Sequence, residues 1–182
     1  MTTTPEVLIV GAGPAGMAAA LRLARAGVGV LVLEGAEYAG AENWSGCVYH
    51  ADGLLREDVL GKSLWDTAPK ERRIVARSLF VHDGMHAAGF EARAHEGNDY
   101  GEAWTVLRPR LDRWLAQRAI DCGVTLLTGT TVSGLRYHGA RVVGVNTNRG
   151  PIEAPLVFIA EGDAAGLLTR EGLEKKIGRA HV

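Results

Sequence analysis

Cysteine is scarce. Cys47 and Cys122 are the two in 182 residues, too few for a disulfide framework and suited to a reducing cytoplasm. Long hydrophobic runs are missing too: no stretch of about 18 apolar residues occurs, so no segment of this sequence is fit to cross a bilayer as a helix. The opening MTTTPE has no basic region of the kind that starts a signal peptide. Neither sign of charge prevails, with 20 Lys and Arg against 21 Asp and Glu and a net charge of −1. The arginines are scattered, which leaves no electrostatic case for nucleic acid or an anionic membrane as partner. Ser, His and Asp show no spacing that argues for a triad. His82 and His86 flank a turn with no third ligand beside them, so no metal is expected. No residue is assigned to acid–base or nucleophilic catalysis, and no internal repeat or low-complexity tract occurs.

What is present is concentrated at residues 6–34, EVLIVGAGPAGMAAALRLARAGVGVLVLE. The run 7–10 is apolar throughout, as in a strand buried on both faces. After it come Gly11, Gly13 and Gly16, then an alanine-rich segment with Met17, Leu21 and Ala24 near helical spacing, and Gly27 to stop it. A second apolar run over 28–33 ends in Glu34. The whole has the length of a parallel strand–helix–strand crossover. Each glycine has a mechanical use: Gly11 turns the chain out of the strand, Gly13 clears space for a pyrophosphate, and Gly16 lets the helix pack on the strand. Pro14 and Ala15 open the helix, whose N-terminal N–H groups suit phosphate. A carboxylate at Glu34 accepts hydrogen bonds from ribose hydroxyls and repels a 2′-phosphate. That combination fits FAD or NAD and disfavours NADP.

Residues 35–70 turn mixed, polar and aromatic. Their notable piece, GAENWSGCVY over 40–49, reads as an irregular Gly-rich loop, and composition leaves open whether it faces a ligand or only connects. Two apolar runs around Asp83 and Gly84 predict a hairpin with a tight turn. The segment 95–102 reads as a loop. A second helix opens at Arg108 and Pro109, with Asp112 favouring its dipole and Leu111, Leu115, Ala119 and Cys122 on one face. Gly123 stops it. Arg108 suits either a phosphate or solvent. Strands follow at 124–127, 132–137, 142–146 and 155–160, with turns at Gly139–Ala140 and at 148–151. The last strand runs into Ala160, Glu161 and Gly162, a turn placed like a ligand crevice at the carboxyl end of a sheet strand. A final helix is expected over 167–176.

Four stretches together, GAGPAGMAAALRLARAG with Glu34, GAENWSGCVY, TVLRPRLDRWLAQRA and VFIAEGDAAGLLTREGL, resemble the glutathione-reductase-like FAD-binding flavoproteins. Within them the chain looks most like the electron-transfer-flavoprotein:quinone oxidoreductase and FixC-like family, with geranylgeranyl-reductase-like neighbours. The resemblance implies an α/β fold: a Rossmann-like FAD-binding domain with a parallel sheet plus an antiparallel hairpin and meander. It implies an FAD-dependent oxidoreductase that takes electrons from a reduced donor, such as an electron-transfer flavoprotein, to a quinone-like acceptor. The cofactor residues it carries over are Gly11, Gly13, Pro14, Ala15, Gly16, Glu34, Gly46, Cys47 and Arg108, with backbone near Val132 at the adenine and Ala160, Glu161 and Gly162 at the later turn. Asp163 is a weaker candidate beside Glu161. Where the family's loop reads Gly-Gly, here Gly46 precedes Cys47, and a single cysteine makes no redox dithiol.

Relatives of this kind are roughly twice as long, so the expectation is an FAD-binding fragment over 1–182. Residues 1–35 form the dinucleotide unit and 36–104 a loop and hairpin region belonging partly to a substrate domain. Residues 105–170 supply helix, meander and return strand. A cytoplasmic protein is expected, its full-length form able to meet a membrane peripherally. Other readings are a geranylgeranyl-reductase-like or aromatic-hydroxylase-like flavoenzyme, an NAD-dependent dehydrogenase, or a fragment that only binds nucleotide.

Overall fold

The computed structural model describes residues 4–93, 101–162 and 166–173. The chain begins with the expected crossover: β1 (Val7–Val10), α1 (Pro14–Arg25) and β2 (Val30–Leu33). The second strand starts two residues later than the apolar run suggested, because Gly27 and Val28 finish the helix. Gly27 takes φ +82°, and the N–H groups of Gly27 and Val28 donate to the carbonyls of Ala24 and Leu23, which satisfies helix-end acceptors.

The largest correction concerns the glycine-rich segment. Its irregular part ends at Ser45, and residues from Gly46 onward form a strand, β3 (Gly46–His50). A four-residue helix α2 (Lys62–Trp65), strand β4 (Lys70–Arg73) and the hairpin of β5 (Ala76–His82) and β6 (Ala87–Arg93) follow. Then comes β7 (Ala103–Leu107), which pairs antiparallel with both β3 and β4. Cys47, Tyr49 and their neighbours alternate between half-buried and exposed. This period-2 signal was too short to stand out against the surrounding Gly, Ser and Trp.

The hairpin forms where Asp83 and Gly84 place it, with a longer turn than a two-residue one. Residues 83–86 connect the strands, Asp83 Oδ1 accepting from the N–H groups of Met85 (2.9 Å) and His86 (2.7 Å). Such local carboxylate bonds are an alternative route to reversing the chain.

Helix α3 (Arg108–Asp121) leads into β8 (Thr125–Leu127), and then a meander of β9 (Val132–His138), β10 (Arg141–Thr147) and β11 (Gly150–Glu153). Gly139 and Ala140 make the expected two-residue turn, Gly139 at φ +62°. At the next turn Gly150 and Pro151 belong to the strand and not to the reversal. Proline is tolerated there because β11 is an edge strand. The return strand β12 (Leu156–Ile159) and the short helix α4 (Gly166–Arg170) complete the described chain. The expected final helix is thus shorter within the described residues; its last positions, 174–176, lie outside them.

The central sheet is parallel with order β12-β1-β2-β8. Its two central strands, β1 and β2, are buried on both faces, as their unbroken apolar runs required, while the edge strands β12 and β8 stay partly exposed. Val7, Ile9, Val30 and Val32 face α1 and α3, packing with Met17, Leu21, Leu111 and Leu115. Leu8, Val10, Leu31 and Leu33 face the meander, packing with Leu135, Val145 and Leu167. Burying each such side chain contributes about 1.5–3 kcal/mol. Those two layers fix where β1, β2 and β12 end, and their carboxyl ends shape the crevice. β5 and β6 are exposed along nearly their whole length.

Candidate active site: a nucleotide cavity at the strand ends

At the carboxyl ends of β1, β2 and β12 lies a cavity of about 520 Å³. Its floor is the first crossover turn. The Gly11 N–H donates to Leu33 O (2.8 Å), and Gly11 adopts φ +102°, where an added Cβ would stand 2.9 Å from the Ala160 carbonyl carbon. The main chain just after β12, at Ala160, therefore passes too close for any side chain at this position. A Cβ on Gly16 would collide with the Gly11 carbonyl and touch Ile9 Cγ2, so this glycine lets helix and strand meet. Gly13 is different. It has φ −73° and ψ 178°, and no atom lies within 4 Å of its would-be Cβ. Its missing side chain keeps the cavity clear at the N-terminus of α1.

Glu34 closes the second side. Its main chain is held by Glu34 N–H donating to Leu127 O (2.9 Å) and by Thr130 N–H donating to Glu34 O (2.8 Å). The carboxylate accepts from Ala12 N–H (2.8 Å) and Ala36 N–H (3.0 Å), one bond to each oxygen. A carboxylate has about four acceptor positions, so capacity remains for two neighbouring hydroxyl groups. The acidic side chain thus points at the glycine turn.

The third side is built by α3 and the segment before β3. Arg108, the first residue of α3, donates Nε to Asp112 Oδ1 (3.0 Å) and Nη2 to Asp112 Oδ2 (2.8 Å). Asp112 is fully buried, and it was read from sequence only as a dipole-favouring residue. Its hydrogen bond pushes the Arg108 guanidinium further above the ordinary arginine range. Asn43 Nδ2 also donates to Asp112 Oδ2 (2.9 Å). Tyr49 stands beside this pair and stacks on Trp65 at 5.9 Å. Burial first, and the Asp112 charge second, push its hydroxyl up to about 12.

The structure brings together around this cavity Gly11, Gly13, Pro14, Ala15, Glu34, Arg108, Val132, Ala160, Glu161 and Gly162. Gly16 lies beneath the turn. Gly46 and Cys47 are in β3 and are not among the lining residues. Asp163 lies outside the described residues. Glu161 Oε2 accepts from Leu167 N–H (2.8 Å) at the start of α4, which occupies part of that carboxylate locally. The sequence reading missed Gly35, Ala36, Thr130 and Thr131 as lining residues. They are small residues in loops whose proximity depends on the β2–β8 pairing. Among the described residues no group of His, Cys, Asp and Glu is arranged to hold a metal, and His86 bonds only to its own turn at Asp83. No described helix is long and apolar enough to cross a membrane.

An open cradle at Gly13, an α-helix N-terminus and an acidic side chain across the turn fit a nucleotide diphosphate and its ribose. A family model described as FAD dependent oxidoreductase matches residues 6–182. The chain belongs to that family, and its cofactor is FAD. Protein FixC of Azorhizobium caulinodans is 35% identical over 181 residues, covering 97% of this chain and 41% of that protein. A probable electron transfer flavoprotein-quinone oxidoreductase of Escherichia coli, YgcN, is 40% identical over 171 residues, covering 92% of this chain and 38% of that protein. The chain therefore spans about two fifths of the length of these relatives. Among solved structures, a geranylgeranyl bacteriochlorophyll reductase-like protein from Thermoplasma acidophilum superposes with a TM-score of 0.70 at 21% identity, over 96% of this chain and 43% of that one. That likeness bears on the fold, a Rossmann-like FAD-binding architecture with added antiparallel sheets, as the sequence implied.

Proposed function

We propose that this chain is the nucleotide-holding part of an FAD-dependent oxidoreductase that passes electrons from a reduced electron-transfer flavoprotein to a quinone-like acceptor. The observation that carries the reading is the cavity itself: a glycine cradle and a ribose-facing carboxylate in a chain 40% identical to a probable electron transfer flavoprotein-quinone oxidoreductase. Gly13 and Ala15 offer main-chain N–H groups to the diphosphate at the start of α1, Gly11 and Pro14 shape the turn around it, and Gly16 supports the turn from below. Glu34 takes the ribose hydroxyls and backbone near Val132 the adenine. Arg108 and the Ala160–Glu161–Gly162 turn contact the cofactor from the other side. Gly46 and Cys47, on β3, are assigned to the flavin end.

Bound FAD supplies the redox chemistry, since its ring system accepts two electrons and releases them one at a time. The side chains here bind and orient, and no described residue is assigned a proton-transfer step. In the same reading, residues 36–104 belong partly to a substrate domain, and the full-length protein works on the cytoplasmic side of a membrane whose quinones it meets peripherally. The test is stopped-flow mixing of the full-length protein with reduced electron-transfer flavoprotein and a soluble quinone. Flavin reduction by the first and reoxidation by the second are expected. Rapid bleaching by NADPH with oxygen consumption, and no response to electron-transfer flavoprotein, would move the assignment to a hydroxylase.

A further inference from the structure

We infer that Asp112 is a positioning residue of the cofactor cavity, fixing both Arg108 and the segment 35–43 that borders it. The inference rests on the FAD reading above and goes beyond it, because Asp112 itself is not among the residues lining the cavity. Among the described residues it is the one charged side chain that is fully buried. A buried carboxylate is costly unless it is paired and hydrogen-bonded, and here all three of its bonds go to residues that line the cavity. Two come from the Arg108 fork and one from the Asn43 amide, with Arg108 Nη2 and Asn43 Nδ2 meeting on the same oxygen, Oδ2. The side-on pairing uses Nε and Nη2 and leaves the Nη1 donors of Arg108 outside the pair.

Two further contacts seat the same segment on the first turns of α3. Gly40, at φ +86°, lies so close that a Cβ would stand 2.8 Å from Asp112 Cβ and 3.1 Å from Pro109 Cα. The Arg113 guanidinium stacks over the Tyr38 ring at 3.9 Å. The segment therefore has three anchors on one helix end, and Asp112 is the anchor it shares with Arg108. An uncharged residue at 112 would leave the fork half-paired and Asn43 competing for a single acceptor oxygen. Both cavity walls would then lose their fixed orientation together.

The experiment is a double-mutant cycle on FAD dissociation from the full-length protein, with apoprotein melting recorded in parallel. Asp112→Asn is expected to weaken FAD binding by on the order of 10–100-fold, the scale of a lost charge-assisted hydrogen bond. In an Arg108→Lys background, where the fork is already gone, the same change is expected to cost less, about 3–10-fold, because only the Asn43 anchor remains to be lost. An equal penalty in both backgrounds, or no change in FAD binding, overturns the inference and leaves Asp112 a residue of the core alone. Should Asp112→Asn fail to fold, the cycle of Asn43→Ala with Arg108→Lys decides. Coupled losses support the shared anchor and additive ones overturn it. A wild-type protein that takes up no FAD overturns the cofactor reading, a result seen before any variant is compared.

Discussion

The three glycines of the first turn separate retention of the cofactor from stability of the fold, and substituting each makes the distinction measurable. At Gly11 the backbone sits at φ +102° with Ala160 main chain directly against the missing side chain. Alanine there incurs about 1–2 kcal/mol for the left-handed conformation and about 1–3 kcal/mol for overpacking. Gly16→Ala drives a Cβ into the Gly11 carbonyl and incurs the second of these costs. Gly13 has neither problem, since its dihedrals are ordinary and its surroundings open. As the residue before α1, it changes stability by no more than about 1 kcal/mol on replacement. Gly13→Val should therefore leave apoprotein unfolding nearly unchanged while reducing FAD affinity ~5–150-fold, the equivalent of ~1–3 kcal/mol of overpacking against a ligand. Gly11→Ala should do the reverse, lowering apoprotein stability first. Denaturant unfolding of the apoprotein and fluorescence titration with FAD give both quantities. Equal destabilisation by Gly13→Val and Gly11→Ala, or full FAD affinity in Gly13→Val, would refute the argument that Gly13 faces ligand space.

Glu34→Ala should weaken FAD binding by about 1.5–3 kcal/mol; because it also frees the Ala12 and Ala36 N–H groups, titration with free adenosine should show a matching loss, and an unchanged adenosine affinity would remove Glu34 from the ribose site. Leu115→Ala, in the core between α3 and the central sheet, should cost about 2–5 kcal/mol of stability, read by denaturant unfolding, with a loss below 1 kcal/mol contradicting the packing. Tyr49 has its folded pKa raised to about 12, above the ordinary value near 10. Its contribution is full below about pH 10 and is lost as pH climbs toward 12, because the unfolded chain ionises first. The alkaline fall in stability over that window should be shallower in Tyr49→Phe, and identical slopes would contradict the buried, hydrogen-retaining hydroxyl.

The first crossover was legible because every signal in it is local: two apolar runs, glycines at fixed offsets and a carboxylate at the end of the second strand all lie within residues 6–34. The meander was legible for the same reason, with Gly139–Ala140 between two alternating runs. What the sequence hid depends on long-range pairing. β3 became a strand only because Gly46–His50 finds β7 more than fifty residues later, and its own five residues carry too little pattern to show it. Asp112 was assigned from the sequence only to the helix dipole, although its place four residues after Arg108 is a spacing that favours a helical ion pair. Nothing local announced that Asn43, 69 residues away, shares that carboxylate. Thr130 and Thr131 reach the cavity through the β2–β8 register, which the polar loop preceding β9 does not encode.

The most direct measurement is the visible spectrum of the purified full-length protein, together with mass analysis of the small molecule released on denaturation. A yellow protein releasing FAD in equimolar amount is the predicted result. A colourless protein that releases NAD, or nothing, would contradict the assignment of the glycine turn and Glu34 to the flavin nucleotide.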